Sequence, residues 1–248
     1  MSLKHRLVRL SQRVLRGAGI WIDLVSNQPS THRDTVFRQM AISRVIDVGA
    51  HTGEFVRELH SLGWNGPVDS FEPDPRSFPA LEQASREYEG WAVHHIAVGA
   101  ERSRVSLHLA GNEVSSSTRG MLSLHVEAAP SSAETSIIDV EQDCLDSLIG
   151  SCHGQRVMLK IDVQGSEMGV LRGAESLLNN VVLAQIELSL QPLYEDQALI
   201  WDVLSFMNER GFVCCGFIPV FHDPAKGIVY QVDGVFVPRR ELSSPVDR

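Results

Sequence analysis

The sequence predicts an α/β fold built on an open, mostly parallel sheet. Two distant stretches, 44–53 and 158–167, share one pattern of apolar strand, acid, glycine and helix start. Strand and helix patterns alternate around both stretches, which is typical of parallel strands joined by right-handed crossovers. Ligands of such sheets bind outside the carboxyl ends of the strands, so both acid-tipped strands are expected to face one crevice.

The composition excludes several other classes of protein. The chain has 248 residues, 43% of them apolar and 21% charged, which suits one soluble α/β domain. No apolar run approaches the roughly 20 residues that a transmembrane helix needs. The formal charge of −9 argues against nucleic acid as a partner, because binding to phosphates requires a basic face. The four cysteines contain no CxxC pair and predict reduced thiols in a cytoplasmic protein.

Residues 1–40 are expected to form an N-terminal helical extension before a main domain at 41–240 and a short tail at 241–248. The first 20 residues contain five lysines or arginines and no acid, with apolar residues at near-helical spacing. They therefore predict a basic amphipathic helix. Such a helix would pack on the domain or on the partner of a homodimer, or it would make a peripheral contact with an anionic membrane.

The first half of the main domain has three strand patterns with helices between them. The first strand ends at Asp47, and an amphipathic helix follows the turn at Gly53. The second strand, 68–71, precedes a helix that Asp74 is expected to cap. Residues 91–98 predict a third strand.

Residues 101–143 interrupt this rhythm and predict an insertion. Apolar residues alternate over 105–109, as in a half-exposed strand, and a Ser-rich polar stretch follows at 111–120. A long insertion of this kind in a compact domain is either disordered or a binding loop. Its position next to the crevice favours a substrate lid.

The second half of the domain returns to alternating strands and helices. Strands are predicted at 157–163 and 181–188, and Asp196 is expected to cap the helix after the latter. The last two strands, 212–220 and 234–237, have no long helix between them. They predict an antiparallel hairpin that closes the sheet.

The turn after the first strand indicates the kind of ligand. It has the pattern D-x-G-x-x-x-G from Asp47 to Gly53, and His51 occupies the place where a dinucleotide fingerprint needs its second glycine. A pyrophosphate requires that glycine, so NAD is disfavoured. Glu72 lies 23 residues past Gly49, where an acid binds a ribose diol. A nucleoside without pyrophosphate indicates S-adenosylmethionine, with a NAD-type oxidoreductase or a non-catalytic cofactor-binding protein as alternatives.

Several motifs occur in order along residues 44–238. They are I-D-V-G-A-H-T-G at 46–53, S-F-E-P-D-P at 70–75, I-A-V-G at 96–99, L-K-I-D-V-Q-G-S-E at 159–167, V-L-R-G-A at 170–174, I-E at 186–187 and D-G-V-F-V at 233–237. Together they resemble the FkbM family of class I methyltransferases. The resemblance implies a Rossmann-like sheet of seven strands whose last strand is antiparallel, with S-adenosylmethionine as the cofactor.

The resemblance also implies which residues contact the cofactor and what is methylated. The glycine turn would lie under the methionine moiety, Glu72 would bind the ribose, and residues 94–98 would flank the adenine. Family members mostly methylate hydroxyls, so a hydroxyl of a small molecule, sugar or glycan is the expected acceptor. The expected cofactor-binding residues are Asp47, Gly49, Ala50, His51, Gly53, Phe71, Glu72, Pro73, Ala97 and Asp162.

Transfer of a methyl group to a hydroxyl needs a group that removes the proton, either a base or a metal-activated ligand. Asp162 at a strand tip is the first candidate base, although it could instead cap the next helix or order the loop before it. Glu187 and Lys160 are the other catalytic candidates, and Glu187 could join Asp162 in holding Mg²⁺. Gln164 stands where the family pattern K-I-D-V-E-G has an acid, which leaves the need for a metal open.

Overall fold

The structure is a computed structural model that describes residues 29–223 and 226–242. The predicted basic helix, with its suggested membrane and dimer contacts, lies outside the described residues, as does most of the tail. Within the described part, no helix is long and apolar enough to cross a membrane. All four cysteines are free thiols.

Eight α-helices and ten strands are formed by the described residues. The helices are α1 Pro29–Gln39, α2 Glu54–Ser61, α3 Phe78–Ser85, α4 Ser123–Ala128, α5 Leu145–Leu148, α6 Glu167–Arg172, α7 Ile200–Glu209 and α8 Arg239–Leu242. The strands are β1 Arg44–Val48, β2 Val68–Phe71, β3 Trp91–His94, β4 Ala97–Val98, β5 Ser103–Ala110, β6 Glu134–Asp143, β7 Val157–Ile161, β8 Val181–Ser189, β9 Phe212–Asp223 and β10 Ile228–Pro238. Short 3₁₀ turns lie at Pro130–Ser132 and Leu177–Asn179.

Seven of these strands form the main sheet in the order β3-β2-β1-β7-β8-β10-β9. Only the last strand in sequence, β10, runs antiparallel to its neighbours β8 and β9. This confirms the predicted seven-stranded sheet with an antiparallel last strand. The strand order reverses between β1 and β7, where Asp47 pairs in register with Lys160 and Val48 with Ile161. The carboxyl ends of these two strands therefore define the expected ligand crevice.

Helices cover both faces of the main sheet, and each face has its own apolar core. Successive side chains of a strand point to opposite faces, so neighbouring residues of β1 and of β7 belong to different cores. One core combines strand residues with α6 and α7 and includes Ile46, Leu159, Ile161, Leu171 and Val203. The other combines them with α1, α2 and α3 and includes Val45, Met158, Phe37, Leu59 and Leu81. Burial on both faces holds the tips of β1 and β7 in fixed positions.

The predicted third strand, 91–98, is wrong as a single element. The chain turns at Ile96, whose N–H donates to the His94 carbonyl at 3.1 Å, and the strand divides into β3 and β4. Strand β3 pairs with β2, whereas β4 pairs with β6 in a second sheet of order β4-β6-β5. The continuous apolar pattern concealed this change of sheet.

Two predicted helix caps are also wrong. Asp74 accepts the N–H of Arg76 at 2.9 Å and pairs with its guanidinium, so the chain first makes a turn and α3 begins only at Phe78. Asp196 lies at a positive φ of 50° before α7. The N-cap there is Leu199, whose N–H donates to the carboxylate of Asp202 in the first turn of the helix at 2.9 Å. At the first place Arg76 engages the predicted cap, and at the second an acid inside the helix binds the N-cap residue.

The insertion is an antiparallel hairpin of β5 and β6 with α4 before its second strand. The Ser-rich stretch folds back on β5, because His108 and Ser117 exchange backbone hydrogen bonds of 2.7 and 3.1 Å. Ser116 Oγ donates to the Asp74 carboxylate at 2.9 Å. These contacts place the insertion over the end of β2, beside the crevice.

Candidate active site

The glycine turn after β1 is fixed by the tips of its two neighbouring strands. The N–H groups of Gly49 and Ala50 both donate to the Phe71 carbonyl at 3.0 Å. Gly49 has a φ of 78°, and a Cβ added to it would lie 1.7 Å from the Asp162 carbonyl oxygen. Only glycine fits here, since both the backbone conformation and the space exclude a side chain.

Glu72 lies at the end of β2 with its carboxylate directed at this turn. One carboxylate oxygen accepts the His51 N–H and the other accepts the Asp74 N–H, both at 2.7 Å. Burial raises the pKa of Glu72 to about 7, although these two hydrogen bonds and the charge of Lys160 act in the opposite direction. Each carboxylate oxygen keeps a lone pair with which it could accept a further hydrogen bond.

A cavity of about 680 Å³ connects the glycine turn, the ends of β2 and β7, β4 and the insertion. Its size falls within the range of roughly 300–1,000 Å³ that is common for ligand pockets. Most of the predicted cofactor-binding residues line it, namely Gly49, Ala50, His51, Phe71, Glu72, Pro73, Ala97 and Asp162. The insertion contributes Leu107, Glu113, Val114, Ser116, Ser117 and Thr118. One crevice therefore contains both the predicted cofactor residues and the first candidate base.

Asp47 and Gly53 were also expected to bind the cofactor, but they lie behind the cavity wall. Asp47 is fully buried, and burial raises its pKa. Ser70 Oγ donates to it at 3.3 Å and itself accepts Trp91 Nε1–H at 2.9 Å. A Cβ on Gly53 would lie 2.6 Å from the Trp91 ring, so this glycine lets α2 approach β3 closely. Both residues support the turn from beneath.

Lys160 is a buried cation between acids. Its Nζ donates to the Gly49 carbonyl at 2.9 Å and lies 3.4 Å from Asp47 Oδ1 and 3.6 Å from Asp162 Oδ2. Burial alone would lower the pKa of Lys160, but the charges of Asp47, Asp162 and Asp233 outweigh it and raise the pKa. A lysine held in its charged form cannot accept a proton, so the geometry favours a positioning role for Lys160 over that of a base.

Asp162 and Glu187 approach each other through the side chain of Gln164. The amide Nε2 of Gln164 donates to Asp162 Oδ1 at 2.8 Å and to Glu187 Oε2 at 2.9 Å. The Asp162 side chain is 34% exposed and lines the cavity, whereas Glu187 is buried behind it. Burial and the charge of Asp162 raise the pKa of Glu187 well above its usual range. Of the two acids, Asp162 is the one that an acceptor in the cavity can reach.

The loop between Asp162 and α6 is ordered by another acid, and the N-cap of α6 is Ser166. Glu167 accepts the N–H groups of Val163 and Gly165 at 3.2 and 3.0 Å from within the first turn of α6. Burial raises the pKa of Glu167 to about 7. Asp162 instead contacts Gln164 and Lys160 and lines the cavity.

The predicted magnesium site gains no support from the geometry. Among residues 29–223 and 226–242, no three His, Cys, Asp or Glu side chains come together as they would around a metal ion. Asp162 and Glu187 do approach each other, but the donor atoms directed at both are the amide hydrogens of Gln164. Mg²⁺ needs oxygen ligands, and an N–H group directed at this place cannot coordinate a cation.

Sequence reasoning overlooked several residues that build this site. Tyr194 is buried, and its hydroxyl lies 2.8 Å from Gln164 Oε1 and 3.1 Å from the Ser115 carbonyl. Ser117 Oγ donates to the Gln164 carbonyl at 2.6 Å. The departure of Gln164 from the family motif was the one available signal. Its partners Ser117, Glu187 and Tyr194 could not be inferred, because they come from distant parts of the chain.

The sheet order, the glycine turn at the switch point and the acid at the end of β2 define a class I methyltransferase. The family profile described as the methyltransferase FkbM domain matches residues 47–214. This chain belongs to the FkbM methyltransferase family and is an S-adenosylmethionine-dependent enzyme.

Individual relatives agree with this assignment. The chain is 23% identical over 214 residues to the 2-O-methyltransferase NoeI of Sinorhizobium fredii, covering 83% of this chain and 88% of that protein. It is 27% identical over 158 residues to Methyltransferase 1 of Beauveria bassiana, covering 57% of this chain and 64% of that one. The solved structure of an FkbM methyltransferase from Methylobacillus flagellatus matches with a TM-score of 0.51 and 16% identity. That match covers 78% of this chain but only 43% of the other, and it concerns the fold alone.

Proposed function

We propose that this enzyme transfers the methyl group of S-adenosylmethionine to a hydroxyl of a small molecule or sugar. The observation that carries the proposal is that Glu72 and Asp162 line the same cavity. A cofactor at one end and a base at the other would place the sulfonium methyl next to the acceptor. A nicotinamide-dependent oxidoreductase is set aside, because the chain belongs to a methyltransferase family.

The cofactor end of the cavity is the part around the glycine turn. Glu72 would accept hydrogen bonds from the two ribose hydroxyls, since each of its oxygens has a remaining lone pair. Residues 49–51 would lie against the methionine moiety. Phe71, Pro73 and Ala97 would provide an apolar surface for the adenine. S-adenosylmethionine supplies the electrophilic methyl group when bound, so the protein needs only to position the acceptor and remove its proton.

Asp162 would remove the acceptor proton. Its Oδ1 is engaged by Gln164, whereas Oδ2 has only the more distant Lys160 as a partner. Oδ2 is therefore the atom that can accept a hydrogen bond from an incoming hydroxyl and then its proton. Lys160, at 3.6 Å, would restrain the carboxylate without taking the proton itself.

The acceptor would enter between the insertion and the end of β7. Ser117 and Thr118 line the cavity there, and Thr118 Oγ1 lies 2.7 Å from Ser166 Oγ. Hydroxyl-bearing side chains of this kind suit a hydroxylated acceptor. The name of the relative NoeI, a 2-O-methyltransferase, supports transfer to oxygen.

Calorimetry with S-adenosylhomocysteine and with NAD tests the cofactor end. The wild-type enzyme should bind S-adenosylhomocysteine and give no heat with NAD. Glu72→Ala should weaken S-adenosylhomocysteine binding about tenfold or more, because charge-assisted hydrogen bonds are lost. Glu82→Ala, which removes an exposed acid on α3, is the matched control and should bind normally. Normal affinity in Glu72→Ala would contradict the ribose role.

Turnover on a panel of hydroxylated acceptors, with sugars included, tests the catalytic end. Asp162→Asn should reduce kcat by about 10²–10⁴, the usual contribution of a general base, and leave S-adenosylhomocysteine affinity within about threefold. Asp139→Asn on exposed β6 is the control and should retain full turnover. Undiminished kcat in Asp162→Asn would exclude Asp162 as the base.

A further inference from the structure

Gln164 holds an unusual position for a glutamine. Its backbone lies in the left-handed region at a φ of 55°, a conformation that residues with a side chain rarely adopt. Such a conformation persists only when surrounding contacts fix it. Here the Gln164 carbonyl accepts the Ser117 hydroxyl at 2.6 Å, and the side-chain amide has three further partners.

The partners of the amide also determine its orientation. Nε2 faces two carboxylate oxygens, of Asp162 and Glu187, whereas Oε1 faces the Tyr194 hydroxyl. Rotating the amide by 180° would direct an oxygen at two carboxylates and leave the hydroxyl with an N–H group. The observed orientation is therefore the one that satisfies all three partners.

A glutamine and a glutamate at this place would require different partners. A glutamate would bring a third carboxylate against Asp162 and Glu187, and only a cation or additional protons could hold three such groups together. The glutamine instead offers its two amide hydrogens, one to each acid. Gln231 Nε2 donates to the same Glu187 oxygen at 2.7 Å, so two neutral amides surround this carboxylate.

We propose that Gln164 is a positioning residue whose amide clamps Asp162 and Glu187 at a place where a glutamate would require a divalent cation or additional protons. The amide occupies Asp162 Oδ1, leaves Oδ2 to the acceptor, and closes the site to Mg²⁺ and Mn²⁺. The catalytic part of this inference rests on the proposed O-methyl transfer. The exclusion of cations does not depend on that reaction. It depends only on which hydrogen-bond donors and oxygen atoms surround the site.

Titration with Mn²⁺, followed by electron paramagnetic resonance and calorimetry, tests the exclusion of cations without any methyl transfer. The wild-type enzyme should show no Mn²⁺ binding that depends on Asp162, as judged against Asp162→Asn. Gln164→Glu should bind Mn²⁺ at least about tenfold more tightly than wild type, since three carboxylates then converge. Gln83→Glu on exposed α3 adds the same charge elsewhere and should not gain binding.

Either of two results would overturn the exclusion of cations. One is Asp162-dependent Mn²⁺ binding by the wild-type enzyme, a measurement that needs no folded Gln164 variant. The other is a folded Gln164→Glu enzyme, verified by circular dichroism, that binds Mn²⁺ no better than Gln83→Glu. A failure of the proposed function would appear separately, as absent S-adenosylhomocysteine binding or absent turnover.

Gln164→Met tests the positioning role, because methionine preserves the length of the side chain and removes the hydrogen bonds. We expect kcat to fall roughly 10- to 100-fold, the usual cost of a misplaced catalytic group. The affinity for S-adenosylhomocysteine should stay within about threefold of wild type. A general structural defect would reduce that affinity together with kcat, and an unchanged kcat would overturn the positioning role.

Discussion

Gly49 shows how a single backbone position controls the site. Its φ is 78°, and a Cβ added to it would lie 1.7 Å from the Asp162 carbonyl oxygen. Gly63 has a similar φ of 90° but has open space around it. Comparing substitutions at the two glycines therefore distinguishes the cost of backbone strain from the cost of steric overlap.

Gly49→Ala and Gly63→Ala should consequently differ in stability. The substitution at Gly63 incurs strain alone and should lower the free energy of unfolding by about 1–2 kcal/mol. Gly49→Ala must also push β1 away from β7 and should lower it by at least about 2 kcal/mol more. Urea denaturation measures both. Equal losses would show that the close approach of Gly49 to Asp162 is not a constraint.

Glu72 should make cofactor binding depend on pH. Its pKa of about 7 means that the carboxylate is mostly protonated at pH 6 and mostly ionised at pH 8. The ionised form accepts both ribose hydroxyls, so affinity for S-adenosylhomocysteine should rise about tenfold from pH 6 to pH 8. Calorimetry on wild type and Glu72→Gln measures this, and the variant should lose the dependence attributable to residue 72. A wild-type affinity that falls over this range would contradict the prediction.

Across the strands, polar side chains form a buried row beneath the glycine turn. It runs from Trp91 on β3 through Ser70 on β2 and Asp47 on β1 to Lys160 on β7. Parallel strands buried on both faces usually contain apolar residues. This row departs from that pattern where the backbone turn needs support, since Lys160 also binds the Gly49 carbonyl.

Loss of one charge from this row should cost more than loss of both. Lys160→Met leaves Asp47 buried without a counter-charge and should lower the free energy of unfolding by about 3–5 kcal/mol. The double variant Asp47→Asn/Lys160→Met should recover at least about 2 kcal/mol of that loss. Denaturation of the single and double variants provides the cycle. As a control, Arg86→Met in the exposed pair with Glu82 should cost less than about 1 kcal/mol. Additive losses in the cycle would refute the pairing of Asp47 with Lys160.

The elements that the sequence predicted are those whose signal is local. Strands β1, β7 and β8 are mainly apolar and have an acid near their carboxyl ends, and the Glu72-Pro73 pair marks the end of β2. The terminal hairpin follows from the missing helix. The switch of residues 97–98 to a second sheet is not local, because it depends on pairing with β6 more than forty residues later. Capping was mispredicted where Arg76 competed for Asp74.

The same distinction applies to the candidate site. Glu72 and Asp162 were recognisable because strand tips of a parallel sheet converge, whatever the rest of the chain does. The bridge made by Gln164 joins groups from four separate segments, and the role of Lys160 depends on which acids surround it. Spacing along the sequence contains no information about such contacts.

For the molecule as a whole, the site concentrates acids that the fold holds in their neutral form. Burial raises the pKa of Glu72 and Glu167 to about 7 and that of Asp233 to about 6. Each of these groups keeps its proton in the folded protein at pH values where the unfolded chain has lost it. Stability from these groups is therefore complete at low pH and is lost as pH rises towards 7 and beyond.

His125 acts in the opposite direction over a lower range of pH. It is buried beside Tyr194 and Phe221, and burial lowers its pKa to about 4. Between about pH 4 and 6.5 the unfolded imidazole binds a proton that the folded one rejects, so this group adds stability as pH rises. Above pH 6.5 its contribution is constant.

The cofactor-free enzyme should therefore be less stable at pH 8 than at pH 6.5. Glu72 and Glu167 together should lower the free energy of unfolding by roughly 1–2 kcal/mol over this interval. Urea denaturation at the two pH values measures the difference. Glu167→Gln preserves an oxygen for the Val163 and Gly165 N–H groups and removes one titrating acid, so its stability should change less with pH. Stability that increases from pH 6.5 to pH 8 would contradict this prediction, because it would mean that folding releases protons over this interval.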